Sequence, residues 1–293
     1  MGMYDIMDER NYISVSCDLC GKDETNLLYN KGGFHIVRCK NCGLVYVNPR
    51  LKMEKLGELY NKNVISPFDY YFENRNDDEI TFKDRLNLIE KYSKRGRLLD
   101  LGCAIGTLSN VAKKNGWDVY GVDINKKSVN YCKEVLGLNV KEGNFEELEF
   151  QEDFFDVVLM NDFLEHVPLP TKALEKTNRI LKKGGIIFIV TPKLDSGMAK
   201  ISKARWLHLK PNEHLYYFSS KTMKKFLEKT GFKVEYITPI GRYRNLNTIF
   251  YKASIYGDFL YKIFRILVDN RIGRRLSINL NLRDEMAVIA RKV

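Results

Sequence analysis

The sequence predicts an α/β fold in which a parallel sheet carries helices on both faces and follows a small cysteine-rich module. Short apolar runs alternate with amphipathic segments from residue 97 onward, a pattern typical of a parallel sheet. Four of the six cysteines form two close pairs within the first fifty residues. The length of 293 residues leaves room for one large domain and a small one.

The first predicted unit, residues 1–50, contains the two cysteine pairs with 18 residues between them. Short strands are predicted at 34–37 and 44–47, with a glycine turn before the first. Two such pairs can enclose one tetrahedral zinc ion, and four ligands leave no open position, so this zinc would be structural. The predicted ligands are Cys17, Cys20, Cys39 and Cys42. We expect the zinc to stabilise a module too small to bury its own core, and direct nucleic-acid recognition is the alternative.

Residues 51–95 predict a helical linker with an amphipathic helix over 78–92. The large domain then covers 96–293. Its strands are predicted at 97–101, 117–123, 155–160, 186–191, 232–240 and 286–290. Its helices are predicted before Gly116, over 126–136, over 170–181, and from Ser219 or Ser220 to Lys229. A helical insertion is predicted at 241–282, which is rich in Tyr, Phe, Ile and Arg.

Composition and charge limit the class of protein. A hydrophobic content of 44% with 29% charged residues is globular and argues against a mainly disordered chain. A window of about 18 uncharged apolar residues is absent, as is the apolar run of a signal peptide, so we expect a cytoplasmic protein. The net charge is +11, and residues 239–293 hold 11 Lys and Arg against 4 Asp and Glu. A basic surface favours anionic partners such as phosphorylated substrates, nucleic acid or lipid headgroups, or serves only solubility, and 241–282 leaves peripheral membrane contact open.

A glycine turn follows the first strand of the large domain, within LLDLGCAIGT at 98–107. Such a turn lets a ligand approach the backbone at a helix N-terminus. Asp123 ends the next strand, 21 residues after Gly102, where a carboxylate can accept both hydroxyls of a ribose. The turn lacks the G-x-G-x-x-G pattern of pyrophosphate binding, and Asp100 just before it would repel pyrophosphate but attract an ammonium. These features favour S-adenosylmethionine as the cofactor.

The motifs LLDLGCAIGT, GVDIN, EGNFEEL, FFDVVLMNDFLEHV and LKKGGIIFIVTP, in this order, resemble the class I S-adenosylmethionine-dependent methyltransferases over roughly residues 80–240 and the closing strand. The resemblance implies a Rossmann-like seven-stranded sheet, with 51–95 also serving as a cofactor lid. Ala104 stands where the family usually has glycine.

The resemblance also implies a cofactor site. Asp100 and the Gly102–Gly106 turn, with Cys103, would hold the methionine end, Asp123 the ribose and Ile124 the adenine; Asn144 and Phe145 would flank the adenine, Asn161 would lie near the sulfonium, and Arg85 could reach the carboxylate.

Two later segments, Glu165-His166 and Glu213-His214, follow the fourth and fifth strands, at the sheet edge where ligands bind. Histidine is suited to proton transfer near neutral pH, although buried histidines also serve merely as hydrogen-bonding groups. The cysteine module and the second E-H pair resemble the zinc-containing sugar C-methyltransferases, which implies His214 as base with Glu213 assisting. His166 is the rival base. That family has a further C-terminal domain, which we do not expect within these 293 residues.

Asp162-x-x-Glu165-His166 with a later histidine is similar to E-x-x-E-H in ubiquinone-biosynthesis O-methyltransferases and small-RNA 3′-end methyltransferases. That resemblance implies a second, divalent metal that orients a substrate hydroxyl, with Asp162 in place of the first Glu. We therefore expect base-assisted methyl transfer to a small, anionic acceptor, a sugar or sugar-bearing phosphorylated intermediate. The alternatives are an RNA methyltransferase that binds the backbone through its zinc ribbon and basic C-terminal region, and a non-catalytic relative.

Overall fold

The computed structural model describes residues 9–52, 55, 68–246, 248–249 and 276–293. Strands in these ranges are β1 (Tyr12–Ile13), β2 (Thr25–Lys31), β3 (Phe34–Cys39), β4 (Val45–Val47), β5 (Arg50–Leu51), β6 (Arg97–Leu101), β7 (Asp118–Asp123), β8 (Asn139–Glu142), β9 (Phe155–Asn161), β10 (Leu181–Pro192), β11 (Tyr216–Tyr217), β12 (Phe232–Pro239), β13 (Arg242–Asn245), β14 (Ser277–Leu280) and β15 (Glu285–Lys292). The α-helices are α1 (Phe68–Ile89), α2 (Thr107–Lys114), α3 (Lys126–Glu134), α4 (Pro170–Ile180), α5 (Gly197–Ser202) and α6 (Ser220–Lys229), and 3-10 turns lie at Glu9–Asn11, Leu164–His166 and Lys203–Arg205.

The main sheet has seven strands in the order β12-β15-β10-β9-β6-β7-β8. The strands from β6 to β10 run parallel, and β15 is antiparallel to both of its neighbours. This confirms the predicted seven-stranded α/β sheet, with β8 added to the predicted strands. The glycine turn and the ends of β7, β9 and β10 share one edge of the sheet, where the predicted cofactor site lies.

Helices cover both faces because successive strand residues point in opposite directions. In β6, Leu98 packs in a buried cluster with residues of α1 and α2. Leu99, the next residue, packs in a second cluster with residues of α4 and α6. None of the helices in the described ranges has the length and apolar composition needed to span a bilayer.

The N-terminal module packs directly on the large domain. Its sheet has the order β11-β4-β3-β2, so one strand comes from residues far along the chain. The rings of Tyr46 in β4 and Tyr216 in β11 are stacked, with centroids 6.2 Å apart. The boundaries at residues 50 and 95 stay predictions.

Helix α1 begins at Phe68, ten residues before the predicted start at 78. The prediction missed this first part because the buried face of the helix is polar. Buried Asn74, Asp78, Thr81 and Arg85 follow one another at intervals of three or four residues, which places them on one side of the helix. Read as sequence, this stripe is indistinguishable from a solvated face.

The hairpin β13–β14 packs against this polar face and forms the two ends of the predicted helical insertion at 241–282. Between the two strands, residues 246, 248 and 249 are helical, and the helical character of the rest stays a prediction. Both described ends of that segment are strands, paired from Arg242–Leu280 to Asn245–Ser277. The strand conformation lets Arg242 and Arg244 point the same way, since side chains alternate along a strand. Residues 247 and 250–275, with any membrane contact predicted there, lie outside the described residues.

Candidate active site

The turn after β6 needs glycine at two positions. Gly102 and Gly106 have φ angles of 71° and 73°, in the left-handed region that favours glycine. A Cβ atom at Gly102 would lie 2.9 Å from the Phe163 ring, and one at Gly106 would lie 2.8 Å from the Cys132 sulfur. Ala104 adopts a φ of 47°, so the usual family glycine is replaced at a cost in backbone strain.

Asp100 lies buried at the end of β6, directly before this turn. Its Oδ2 atom accepts a hydrogen bond of 2.7 Å from the hydroxyl of Ser109 in α2. Burial, with a smaller contribution from the charge of Asp123, raises the pKa of Asp100 to about 7. A carboxyl group with this pKa can take up or release a proton when a cationic ligand binds beside it.

Asp123, at the end of β7, fastens the glycine turn from the other side. Its two carboxylate oxygens accept hydrogen bonds of 2.8 Å from the backbone N–H groups of Ala104 and Asn125. Each oxygen accepts more than one hydrogen bond in general, so this orientation is compatible with a ribose. Ile124 beside it has 47% of its surface exposed, as expected of an apolar residue that receives an adenine.

Of the two residues predicted to flank the adenine, Asn144 is partly exposed and Phe145 is buried. The Asn144 side chain caps its own turn by accepting from the N–H of Glu146 at 3.1 Å. Phe145 is 2% exposed and packs against Phe150 and Phe163, with centroid distances of 5.7 and 6.5 Å. Core packing therefore accounts for Phe145, and its contact with an adenine stays a prediction.

A charged network lies at the end of β9. Asn161 accepts a hydrogen bond from Arg85 and donates one of 3.0 Å to Asp162. Asp162 also accepts from Arg242 at 2.6 Å, and Arg242 in turn binds Glu285. Burial acts to raise the pKa of Asp162, but Arg242 and Arg85 outweigh it and hold that pKa below its usual value.

Arg85 is completely buried at this point, and its Nε and Nη2 atoms have no hydrogen-bond partner among the described residues. Burial and the charge of Arg242 lower its pKa to about 10. A buried guanidinium with two unsatisfied donors is poised to bind an anion, which agrees with the predicted contact to the cofactor carboxylate.

Tyr71 was not predicted from the sequence. It is half-buried in α1, and after burial the charges of Asp162 and Asp123 are the main causes that raise the pKa of its hydroxyl. The charge of Asp123, a predicted cofactor residue, and that of Asp162, beside the predicted residue Asn161, thus both act on Tyr71. The segment before residue 78 gave no apolar periodicity, so only the resemblance-based prediction of a lid pointed towards it.

The two histidine segments meet at the same edge of the sheet. The ring centroids of His166 and His214 are 4.8 Å apart, and the two rings form a T-shaped contact. One ligand atom from each of Glu165, His166 and His214 lies within 4.8 Å of the other two. Both Nδ1 atoms are 2.9 Å from backbone carbonyl oxygens, of Glu213 and His208 respectively. A carbonyl only accepts, so both Nδ1 atoms carry the proton and both Nε2 atoms carry the lone pair.

Glu165 is also buried at this cluster. Its Oε2 atom accepts from the Thr191 hydroxyl at 3.0 Å, and its Oε1 atom has no partner within the described part of the chain. Burial and the charge of Asp162 raise the pKa of Glu165 well above its usual value. Asp162 binds Arg242 instead of joining the cluster, which corrects its assignment to a four-residue ligand set.

The geometry also corrects the expected assistance of His214 by Glu213. The two residues are consecutive, and the Glu213 carboxylate lies 3.3 Å from the ammonium of Lys210. Burial lowers the pKa of His214 well below its usual value, and the charges of His166 and Lys210 add to this. The expected stabilisation of a protonated His214 by a carboxylate neighbour is therefore wrong.

The four module cysteines form a second cluster. Their sulfurs lie within 4.8 Å of one another, with Cys17–Cys42 and Cys20–Cys39 separations of 3.4 and 3.5 Å. A tetrahedron with Zn–S bonds of about 2.3 Å has S–S edges of about 3.8 Å. Each pair is followed by a glycine with positive φ whose N–H donates to the first cysteine's carbonyl. The thiols thus have the spacing and turns of a tetrahedral metal site.

The model of the family called methyltransferase domain matches residues 71–237, more than half of the chain. The chain belongs to this methyltransferase family. As a methyltransferase with this turn and sheet, it uses S-adenosylmethionine as its methyl donor, as predicted.

An uncharacterized protein of Methanocaldococcus jannaschii is 30% identical over 166 residues, which cover 57% of this methyltransferase and 77% of the archaeal protein. The ubiquinone biosynthesis O-methyltransferase of Coxiella burnetii is 32% identical over 114 residues, 36% of this chain and 49% of that enzyme. The chain therefore spans about half the length of this curated relative.

Among solved structures, a SAM-dependent methyltransferase from Archaeoglobus fulgidus has a TM-score of 0.53 at 20% identity and covers 76% of this chain and 99% of its own. A possible histamine N-methyltransferase from Thermotoga maritima has a TM-score of 0.53 at 16% identity, with coverages of 81% and 100%. These likenesses concern the fold alone.

Proposed function

We propose that this methyltransferase methylates a hydroxyl oxygen of a small molecule, and that Glu165, His166 and His214 hold that hydroxyl at a divalent metal ion. The observation that carries the proposal is the convergence of the three ligand atoms within 4.8 Å at the carboxyl edge of the sheet. This proposal departs from the base-assisted mechanism expected from the sequence, since Glu213 is paired with Lys210 and His214 meets His166.

The side chains fit such an ion. The backbone carbonyls of Glu213 and His208 accept hydrogen bonds from the Nδ1 atoms of His166 and His214 and so orient both rings. Histidines that bind metals commonly have such a hydrogen-bond partner on the other ring nitrogen. The buried Oε1 of Glu165 lacks a hydrogen-bond partner within the described residues. Two imidazoles and one carboxylate suit Mn²⁺, Fe²⁺ or Zn²⁺ better than Mg²⁺. When bound, such an ion supplies a Lewis acid that lowers the pKa of a coordinated hydroxyl.

Similarity to ubiquinone biosynthesis O-methyltransferases supports oxygen as the methylated atom. The sugar-bearing acceptor and its anionic character are parts of the proposal that rest on the sequence alone. The RNA alternative depends on the basic residues after 239, most of which lie outside the described ranges.

The N-terminal cysteines form part of the same proposal, with one structural Zn²⁺ bound by Cys17, Cys20, Cys39 and Cys42. The sulfur spacing and the two glycine turns support it. All four ligands come from the protein, so this ion would contribute to folding and not to methyl transfer.

Methyl-labelled S-adenosylmethionine, incubated with the protein and a cell extract, tests the reaction. We expect label in the small-molecule fraction, dependent on Mn²⁺ added back to protein that has lost other divalent ions but keeps its zinc. His214→Asn removes one of three metal ligands and should lower turnover by at least about 10–100-fold, the usual cost of losing even a partner behind a metal ligand, with cofactor affinity intact. His35→Asn, at an exposed position of β3, should not lower turnover. Label in RNA, or full turnover without a divalent ion, would contradict the proposal.

A further inference from the structure

The N-terminal module meets the histidine segments at Arg50, Pro168 and Tyr216. Arg50 in β5 is buried, and its Nη1 atom donates to the Pro168 carbonyl at 3.0 Å and to the Tyr216 hydroxyl at 3.1 Å. The Tyr216 hydroxyl itself donates to the same carbonyl at 2.9 Å. The three groups form a closed triangle of buried hydrogen bonds, which we call the Arg50 junction.

The Arg50 junction lies two residues beyond each histidine of the cluster. Pro168 follows His166 at this distance along the chain, and Tyr216 follows His214. Between the cluster and the junction, the N–H of Leu215 donates to the carbonyl of Glu165 at 2.8 Å. The segments 165–168 and 213–216 are therefore joined at several successive points, the last of which is Arg50.

The module also forms hydrogen bonds with the chain that follows each histidine. The N–H of Val47 in β4 donates to the Leu215 carbonyl at 2.9 Å. Asp18, between the first two cysteines, accepts hydrogen bonds of 2.8 and 3.0 Å from the backbone and hydroxyl of Thr171 at the start of α4. One module thus holds the chain after His166 and the chain after His214 at the same time.

From these contacts we infer that the module is a clamp that sets the distance between His166 and His214, with Arg50 as a positioning residue for the acceptor site. A guanidinium suits this role because it is planar, carries several donors and stays charged. Without it, the Pro168 carbonyl and the Tyr216 hydroxyl lose their shared buried donor and keep only the hydrogen bond between them. The inference rests on the proposed function only in placing the acceptor at the histidines.

The test compares full-length Arg50→Ala and Tyr216→Phe with Arg38→Ala, which removes an exposed arginine from β3 of the same module. The chain has four histidines, so imidazole ¹⁵N spectra can resolve each one. In Arg50→Ala we expect the His166 and His214 signals to shift or broaden while His35 stays unchanged. Affinity for Mn²⁺ should fall about tenfold or more, and affinity for S-adenosylhomocysteine should change by less than about twofold. Arg38→Ala should match the wild type.

Tyr216→Phe keeps the bond from Arg50 to Pro168, so we expect smaller changes in the same direction. The double variant should show larger changes than Arg50→Ala alone, because it also removes the direct bond from the Tyr216 hydroxyl to the Pro168 carbonyl. A folded Arg50→Ala protein with four wild-type imidazole signals would overturn the clamp. If Arg50→Ala loses cofactor affinity as well, the Tyr216→Phe variant becomes the deciding test. Unchanged His166 and His214 signals in Tyr216→Phe would then also overturn the clamp. If the wild type binds no Mn²⁺ at the cluster, the proposed metal is wrong, and shifted histidine signals would still support the clamp.

Discussion

At the residue scale, Asp123 has two tasks, since its carboxylate fastens the glycine turn and faces the predicted ribose position. Asp123→Ala should weaken S-adenosylmethionine binding by about 2–4 kcal/mol, the value of two hydrogen bonds to a charged acceptor. Asp118→Ala, at the exposed opposite end of β7, is the matched control. Isothermal calorimetry checks both, and an unchanged affinity in Asp123→Ala would remove the residue from the cofactor site.

Asp100 gives a prediction about pH. Its pKa of about 7 in the cofactor-free protein means that the carboxyl is mostly neutral at pH 6 and mostly ionised at pH 7.5. Only the ionised form attracts the ammonium of the cofactor, so affinity should rise with pH, by about eightfold over this range. Calorimetry with S-adenosylhomocysteine checks this, and Asp100→Asn should bind more weakly with a flat pH profile. An affinity that falls towards pH 7.5 would contradict this role for Asp100.

Sequence-based predictions agree best with the structure at positions where a single physical requirement determines the residue type. Gly102, Gly106 and Asp123 were assigned from a strand–turn–helix pattern, and all three occupy the geometry that the pattern requires. The pairing of Glu213 with His214 could not be predicted, because adjacency in sequence does not make two side chains face each other. Only the folded chain shows that Glu213 meets Lys210 and that His214 meets His166.

At the scale of elements, helix α1 and the hairpin β13–β14 are joined by buried charge. Asp78 accepts a hydrogen bond of 2.7 Å from Arg244, and both side chains are less than a tenth exposed. Asp78→Ala would leave a buried guanidinium unpaired and should lower the free energy of unfolding by about 3–5 kcal/mol. Urea denaturation measures this, with Glu73→Ala on the exposed side of α1 as control. A loss no larger than that of the control would mean that the hairpin is held by other contacts.

The strands and helices of the main sheet were predictable because its strands are short apolar runs between amphipathic helices. The elements that were missed have no such signature. Strand β11 has two residues, too few to show alternation. Strand β13 pairs with the polar face of α1 through the side chains of Arg244 and Asn245, and strand β14 through the hydroxyl of Ser277. Polar contacts of this kind leave no hydrophobic periodicity in the sequence.

At the scale of the whole molecule, the cysteine cluster provides a further prediction. Purified full-length protein should contain about one zinc ion per chain, and Cys39→Ser should lose it because three thiolates no longer close a tetrahedron. Cys103→Ser, at a buried cysteine outside the cluster, should keep the metal. Elemental analysis distinguishes the two variants, and a metal-free wild-type protein with an intact module would contradict the zinc site.

The pairing of β4 with β11 has a consequence for the order of assembly during synthesis. Arg50 and Tyr216 are 166 positions apart, so the module leaves the ribosome long before its fourth strand exists. Until then β4 exposes the unpaired N–H and C=O groups of an edge strand, which can pair with other chains. Residues 1–50 expressed alone should therefore self-associate. Although this module begins the sequence, its assembly finishes only after most of the large domain has been translated.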